Sequence, residues 1–186
     1  MKYRQGLKAL MIVFVLTGLA GVCAAAGLTA VPGQPQADDF SLPAADGSRH
    51  ALADYRGDYV LVNFWAGWCS PCIKELPSMQ RVYTAMKGRD FEILAIHVGP
   101  ETADTQVLLE RFAISFPVLV DAELALDNWD VNGLPTSFLL DPEGRVIYRA
   151  TGPIDWDEPA QRELLEQLLD GRSRAANNSS VSATTL

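Results

Sequence analysis

The stretch from Tyr59 to Cys72 constrains the fold more than any other part of this chain. Tyr59-Val60-Leu61-Val62-Asn63-Phe64-Trp65 is continuous and largely β-branched, aliphatic or aromatic, the pattern of a strand covered on both faces. After Ala66-Gly67-Trp68 come Cys69-Ser70-Pro71-Cys72 and a helical pattern from Ser70 to about Lys87. That pattern places Ile73, Leu76, Met79, Val82, Tyr83 and Met86 on one side, with Gly88 at its end. Pro77 inside it predicts a kink or a local change of register. A strand that delivers Cys-x-x-Cys to the start of a helix is the setting for dithiol–disulfide chemistry. The first cysteine sits where unpaired backbone N–H groups and the helix dipole favour an anion. Its thiolate, the attacking species in disulfide exchange, is thereby stabilised. The competing reading is half of a zinc site, which needs about two more Cys or His ligands at matching spacing. Only Cys23, His50 and His97 remain, and they form no second pair.

The 186 residues accommodate one domain with tails. Lys2, Arg4 and Lys8 precede an uncharged run from Ala9 to Ala26 that ends in Ala24-Ala25-Ala26, the pattern of an export signal. Three fates stand open for residues 1–26: cleavage before Gly27, retention as a membrane anchor, or lipid attachment at Cys23, where Val22 fits poorly. Beyond this leader Cys69 and Cys72 are the only cysteines. One close pair in an oxidising compartment suits a working disulfide better than a structural staple, because so short a loop constrains the unfolded chain little. The formal charge is −8, and without the three leader cations about −11. That balance argues against nucleic acid and against binding of anionic lipid by the domain itself.

Leu28 to Gln36, with Pro32, Gly33 and Pro35, reads as the core of a linker over 27–37. Asp39–Leu42 and His50–Leu52 flank the Ala45-Asp46-Gly47-Ser48 turn as a short hairpin, with His50 exposed. Phe91–Val98 is the next strand, Glu101–Phe112 a helix with Leu108, Leu109 and Phe112 inward, Phe116–Val120 a strand, and Glu123–Trp129 a short helix. Thr136–Leu140 and Arg145–Arg149 surround Asp141-Pro142-Glu143-Gly144 as a second hairpin. A last amphipathic helix covers roughly Glu158–Leu169 and stops at Gly171; residues 172–186, with almost no apolar bulk, are expected to be disordered. Strands alternating with helices, closed by a hairpin and a helix, define an α/β sandwich with a mixed central sheet over 38–171. There is no internal repeat.

Three groups of motifs resemble a known family. These are Asp39-Phe40-Ser41-Leu42 with Asp54-Tyr55-Arg56-Gly57; Leu61–Ala66 followed by Trp68-Cys69-Ser70-Pro71-Cys72; and Gly133-Leu134-Pro135-Thr136 with Phe138-Leu139-Leu140-Asp141 and Gly144. Together, over Asp39 to Leu169, the chain resembles the exported TlpA/ResA-type thiol–disulfide oxidoreductases of the thioredoxin-like superfamily, a group that includes cytochrome c maturation reductases. The resemblance implies a thioredoxin fold with an N-terminal hairpin and a central helix–strand insertion, which accounts for the length between His97 and Pro135. It makes Cys69 the nucleophile and Cys72 the resolving thiol, together a redox disulfide. Pro135 becomes a cis-proline facing them, with the Leu134 backbone open to an extended substrate segment. Pro71 is the family's usual residue beside the second cysteine and Ser70 the variable position, Trp68 forms the apolar rim of the substrate groove, and Trp65 belongs to the core.

Cytoplasmic thioredoxins carry a buried Asp where this chain has Asn63, and Asn cannot take a proton from Cys72. The TlpA/ResA group often places a Glu three residues after the second cysteine, and Glu75 matches. A carboxylate there raises thiol pKa values and assists proton transfer. His97, on a strand, reads as structural. The resemblance implies a monomeric periplasmic disulfide reductase, soluble or anchored, that uses no cofactor and no metal. Its partners would be a disulfide-bearing periplasmic protein and a membrane electron donor of the DsbD/CcdA kind. A thiol peroxidase on the same fold would want Thr-x-x-Cys, but Ala66 stands three before Cys69. A copper-delivery module would want cysteines three residues apart plus a distant His. A DsbA-like oxidase would want a large helical insertion and Cys-Pro-His-Cys.

Overall fold

The computed structural model describes residues 27–44, 46–100 and 102–183. The expectations for the leader, including Cys23, lie outside them. In chain order the elements are β1 (Thr29–Ala30), β2 (Ser41–Pro43), β3 (Arg49–Ala51), β4 (Tyr59–Trp65), α1 (Ser70–Met86), β5 (Phe91–Val98), α2 (Ala103–Arg111), β6 (Val118–Asp121), β7 (Thr136–Leu140), β8 (Val146–Thr151) and α3 (Pro159–Ala183). Two short 3-10 turns, Leu52–Tyr55 and Asp127–Trp129, complete them.

Six strands form one mixed sheet in the order β1-β8-β7-β4-β5-β6, and β2–β3 form a separate hairpin. β4 pairs in parallel with β5, from Tyr59 opposite Phe91 to Trp65 opposite His97. On its other edge it pairs antiparallel with β7, Phe64 lying opposite Thr136. The apolar run of β4 is therefore hydrogen-bonded on both edges and buried on both faces. Alternation sends Leu61, Asn63 and Trp65 one way and Val60, Val62 and Phe64 the other. The first set packs with Leu76, Met79 and Val82 of α1 and Leu165 and Leu169 of α3. The second meets Phe40, Leu42, Leu52, Trp129 and Phe138, so the hairpin and the 3-10 turns cover that face. α2 and β6 are the insertion, and α2 lies shallow, with Leu109 and Phe112 only partly buried. This is a thioredoxin fold.

Several boundaries differ from the sequence reading. The stretch read as a linker is the outer edge of the sheet: Thr29 and Ala30 pair with Arg149 and Tyr148, and Gln36 bridges Arg145. Leu28 is buried, and three backbone bonds, Val31 to Ile147, Val146 to Pro35 and Ala37 to Gly144, tie the segment down. It covers an edge of β8 that would otherwise expose unpaired backbone groups. α3 does not stop at Gly171 but continues to Ala183. A single helical Gly costs only about 1 kcal/mol, and the Arg- and Ala-containing residues after it tolerate a helix. β6 starts at Val118 because Pro117 has no N–H for the ladder. The helix expected over Glu123–Trp129 shrinks to the 3-10 turn. α1 runs unbroken through Pro77. His50 is half-buried rather than exposed, bonded to Ser48 at 2.8 Å and to the Tyr55 hydroxyl.

Candidate active site

β4 ends at Trp65, and the turn Ala66-Gly67-Trp68 carries the chain to Cys69, the N-cap of α1. The cap is made by sulfur: the Cys72 backbone N–H donates to Cys69 Sγ at 3.3 Å. Pro71 fits here because a proline in the first helical turn forgoes an N–H that has no intrahelical partner anyway. Cys69 and Cys72 are joined as a disulfide. Both sulfur-bearing residues are buried beneath an exposed rim: Trp68 is 75% exposed and Ser70 exposed, whereas Cys69 and Cys72 are 5% and 1% exposed.

The approach turn is pinned from below by His97. Its Nε2 accepts the Gly67 N–H at 3.1 Å, and its Nδ1 donates to the Gly99 carbonyl at 3.0 Å. Neither ring nitrogen is left over, which bears out the structural reading of this histidine. Gly67 is needed at that point, since a Cβ would come within 2.8 Å of Thr105 Oγ1.

The Leu134–Pro135 peptide bond is cis. Because Phe64 lies opposite Thr136, Pro135 and Leu134 fall beside the end of β4, at the edge of the sheet from which the Cys69 turn departs. Pro135 is buried and Leu134 half-buried, the latter packing against the cluster that contains both cysteines. Thr136 Oγ1 donates to the Gly133 carbonyl at 2.7 Å and closes the loop.

Behind the pair lies Glu75, one helical turn after Cys72 on the same face of α1, with 2% exposure. Its Oε1 accepts the Trp156 indole N–H at 2.6 Å and the Ile154 backbone N–H at 3.3 Å. Burial pushes the carboxyl up to about 7, against the opposing pull of the Trp156 and Ile154 donors and of the Asn63 amide. Asn63 reaches this side from β4 and donates to Ser137 Oγ at 2.9 Å. An acid so poised can hold or release a proton near neutral pH.

Residues 33–149 match the AhpC/TSA family. The thiol-disulfide oxidoreductase ResA of Geobacillus kaustophilus is 41% identical over 137 residues, covering 73% of this chain and 78% of that protein. The chain belongs to the ResA-type thiol–disulfide oxidoreductases. ResA of Bacillus subtilis is 38% identical over 128 residues, covering 68% of this chain and 72% of its own length. A crystal structure of a thiol:disulfide interchange protein of the thioredoxin family from Chlorobium tepidum superposes with a TM-score of 0.63 at 29% identity, covering 75% of this chain and 99% of that one. As a ResA-type oxidoreductase the protein cycles Cys69 and Cys72 between dithiol and disulfide.

The fold thus brings together Trp68, Cys69, Ser70, Pro71, Cys72, Glu75, Leu134 and Pro135. What the sequence does not mark is the far wall of the site. Ile154, Trp156 and Ser78, which contact Glu75 or each other, come from two elements about 80 positions apart in the chain. No local motif announces them, and only the buried state of Glu75 leads to them.

Proposed function

We propose that the protein is an exported disulfide reductase in which Glu75 moves the proton of the resolving thiol. The observation that carries this reading is the buried carboxyl one turn behind Cys72, held near neutral pH by its surroundings. The Cys69 thiolate attacks one sulfur of a substrate disulfide, and the other substrate sulfur leaves as a thiolate and takes up a proton. Cys72 then gives its proton to Glu75 and attacks Cys69 Sγ. The Cys69–Cys72 bond forms, and the second substrate sulfur departs as a thiolate and takes up a proton from solvent. Two electrons have passed to the substrate, and the Cys72 proton rests on Glu75 until it is released. A dithiol donor must then restore the pair, which in an oxidising compartment calls for a membrane electron-transfer protein.

The direction follows from electrostatics. A strongly stabilised thiolate favours the dithiol form and makes a protein oxidising. Here the helix N-terminus stabilises the Cys69 thiolate, but an anionic Glu75 beside Cys72 opposes ionisation. The balance favours a reducing pair. Export rests on the cationic and then uncharged leader; among the described residues no helix is long and apolar enough to cross a membrane. Trp68 and the Leu134 backbone offer an apolar rim and an extended edge to a protein disulfide, apocytochrome c being one substrate of that class.

Cys72→Ser tests the mechanism directly. It should accumulate mixed disulfides on Cys69 in the exported compartment, whose identity names the substrate, while Cys69→Ser accumulates none. Silence from both variants would sink the exchange mechanism, and turnover of hydrogen peroxide by the wild type would move the reading to a thiol peroxidase.

A further inference from the structure

Gly152 to Asp157 form a strap from β8 to α3, and each anchor of this strap bears on the site. Gly152 N–H donates to the Pro135 carbonyl at 2.8 Å. Ile154 N–H and the Trp156 indole N–H both end on Glu75 Oε1. Trp156 N–H donates to Ser78 Oγ at 3.2 Å, itself bonded to the Glu75 carbonyl at 2.8 Å. Asp157 closes the strap on Arg81 at 2.7 Å and Arg162 at 2.8 Å. The Trp156 side chain is fully buried, so its ring has no freedom to swing away. Glu75 Oε2, also buried, has no hydrogen-bond partner.

We infer that Trp156 is a positioning residue for the reaction: with Ile154 N–H it holds Oε1 of Glu75, and so assigns Oε2 to exchange the proton of Cys72. The inference rests on the role proposed for Glu75 above. One oxygen saturated by two fixed donors and the other without a partner is an arrangement that orients a carboxyl group. The neighbours do not supply an alternative orienting charge. On α1 they are the two cysteines, exposed Lys74, and Arg81; on the strap they are Asp155 and Asp157; β4 and β7 contribute no charge, only Ser137 and the Asn63 amide, which also favours the charged carboxyl. Arg81 is taken by Asp155 and Asp157. A groove of about 190 Å³ on the strap side is lined by Lys74, Glu75, Ser78 and Pro153 to Asp155.

The test uses the oxidised protein, in which the cysteines do not titrate and Glu75 can be followed alone by carboxyl NMR. Trp156→Phe keeps the ring and removes the donor. The Glu75 midpoint should rise by about one pH unit, since a lost hydrogen bond to the charged form favours the acid. The pH profile of disulfide reduction should move with it. In the wild type the indole proton of Trp156 should titrate with the Glu75 midpoint and stop doing so in Glu75→Gln, a measurement that needs no variant at position 156. An unmoved midpoint in Trp156→Phe, or an indole proton blind to pH, overturns the inference. If instead Glu75→Gln leaves the reduction profile unchanged, the role given to Glu75 fails and this inference fails with it.

Discussion

The two cysteines of one disulfide are both buried, but they have different neighbours. In front, Trp68 and Ser70 are exposed beside Cys69; behind, Cys72 shares a closed pocket with Glu75, Asn63 and Trp156. The front is built from a turn pinned by His97, and the back from helix, sheet and strap. A nucleophile must reach a protein disulfide, and Cys69 sits between the exposed Trp68 and Ser70. A resolving thiol must lose its proton at the right moment, so its surroundings are dry and hold one titratable acid. The contrast separates recognition from proton transfer within a single helical turn, and each half can be perturbed alone.

The largest effect belongs to the nucleophile. Cys69→Ser should lower turnover of a protein disulfide on the order of 10³-fold or more, because no second thiol is placed to replace it. Cys72→Ser should keep a first, stoichiometric attack and lose turnover. Equal single-turnover rates for the two variants would erase the distinction between front and back.

Next comes the acid, read through stability. Its pKa is raised from the ordinary 4.5 to about 7 in the folded protein, so between those values the native state binds a proton that the unfolded chain does not. Stability from this group is full below about pH 4.5 and declines as pH rises through 7. The decline amounts to roughly 3 kcal/mol for the oxidised protein. Glu75→Gln should flatten that part of the curve. Urea denaturation of both proteins at pH 5 and pH 8 measures it, and a wild type equally stable at both would mean the pocket is wetter than its burial indicates.

How far this was legible in the chain depends on sequence distance. β4, Cys69–Cys72 and α1 are contiguous, and their pattern alone defines the front of the site. Glu75 lies within the same helix, so its spacing from Cys72 could be read, though not its burial. Its partners could not be read: Ile154 and Trp156 follow β8, and only the packing of α3 beside α1 delivers them. β1 was hidden for a related reason. Two residues between Pro- and Gly-containing turns carry no period-2 signal, and their partner strand lies about 120 positions later. The cis bond at Pro135 came from family resemblance, since a proline alone favours the trans form. Short elements and long-range contacts were lost; long periodic elements were kept.

The smallest effect is expected at the most conspicuous residue. Trp68 is 75% exposed and adds little to the folded core, so Trp68→Ala should leave the midpoint of unfolding nearly unchanged. It should raise KM for a protein disulfide by about five-fold, the value of a rim aromatic worth roughly 1 kcal/mol, with kcat held. A small, soluble disulfide that never spans the rim should be reduced at the wild-type rate. The pH profile should also stay fixed, because the indole of Trp68 does not touch the pocket behind Cys72. A shift in that profile would mean that the rim and the proton-handling pocket are coupled through α1, and the division between front and back would then have to be drawn elsewhere.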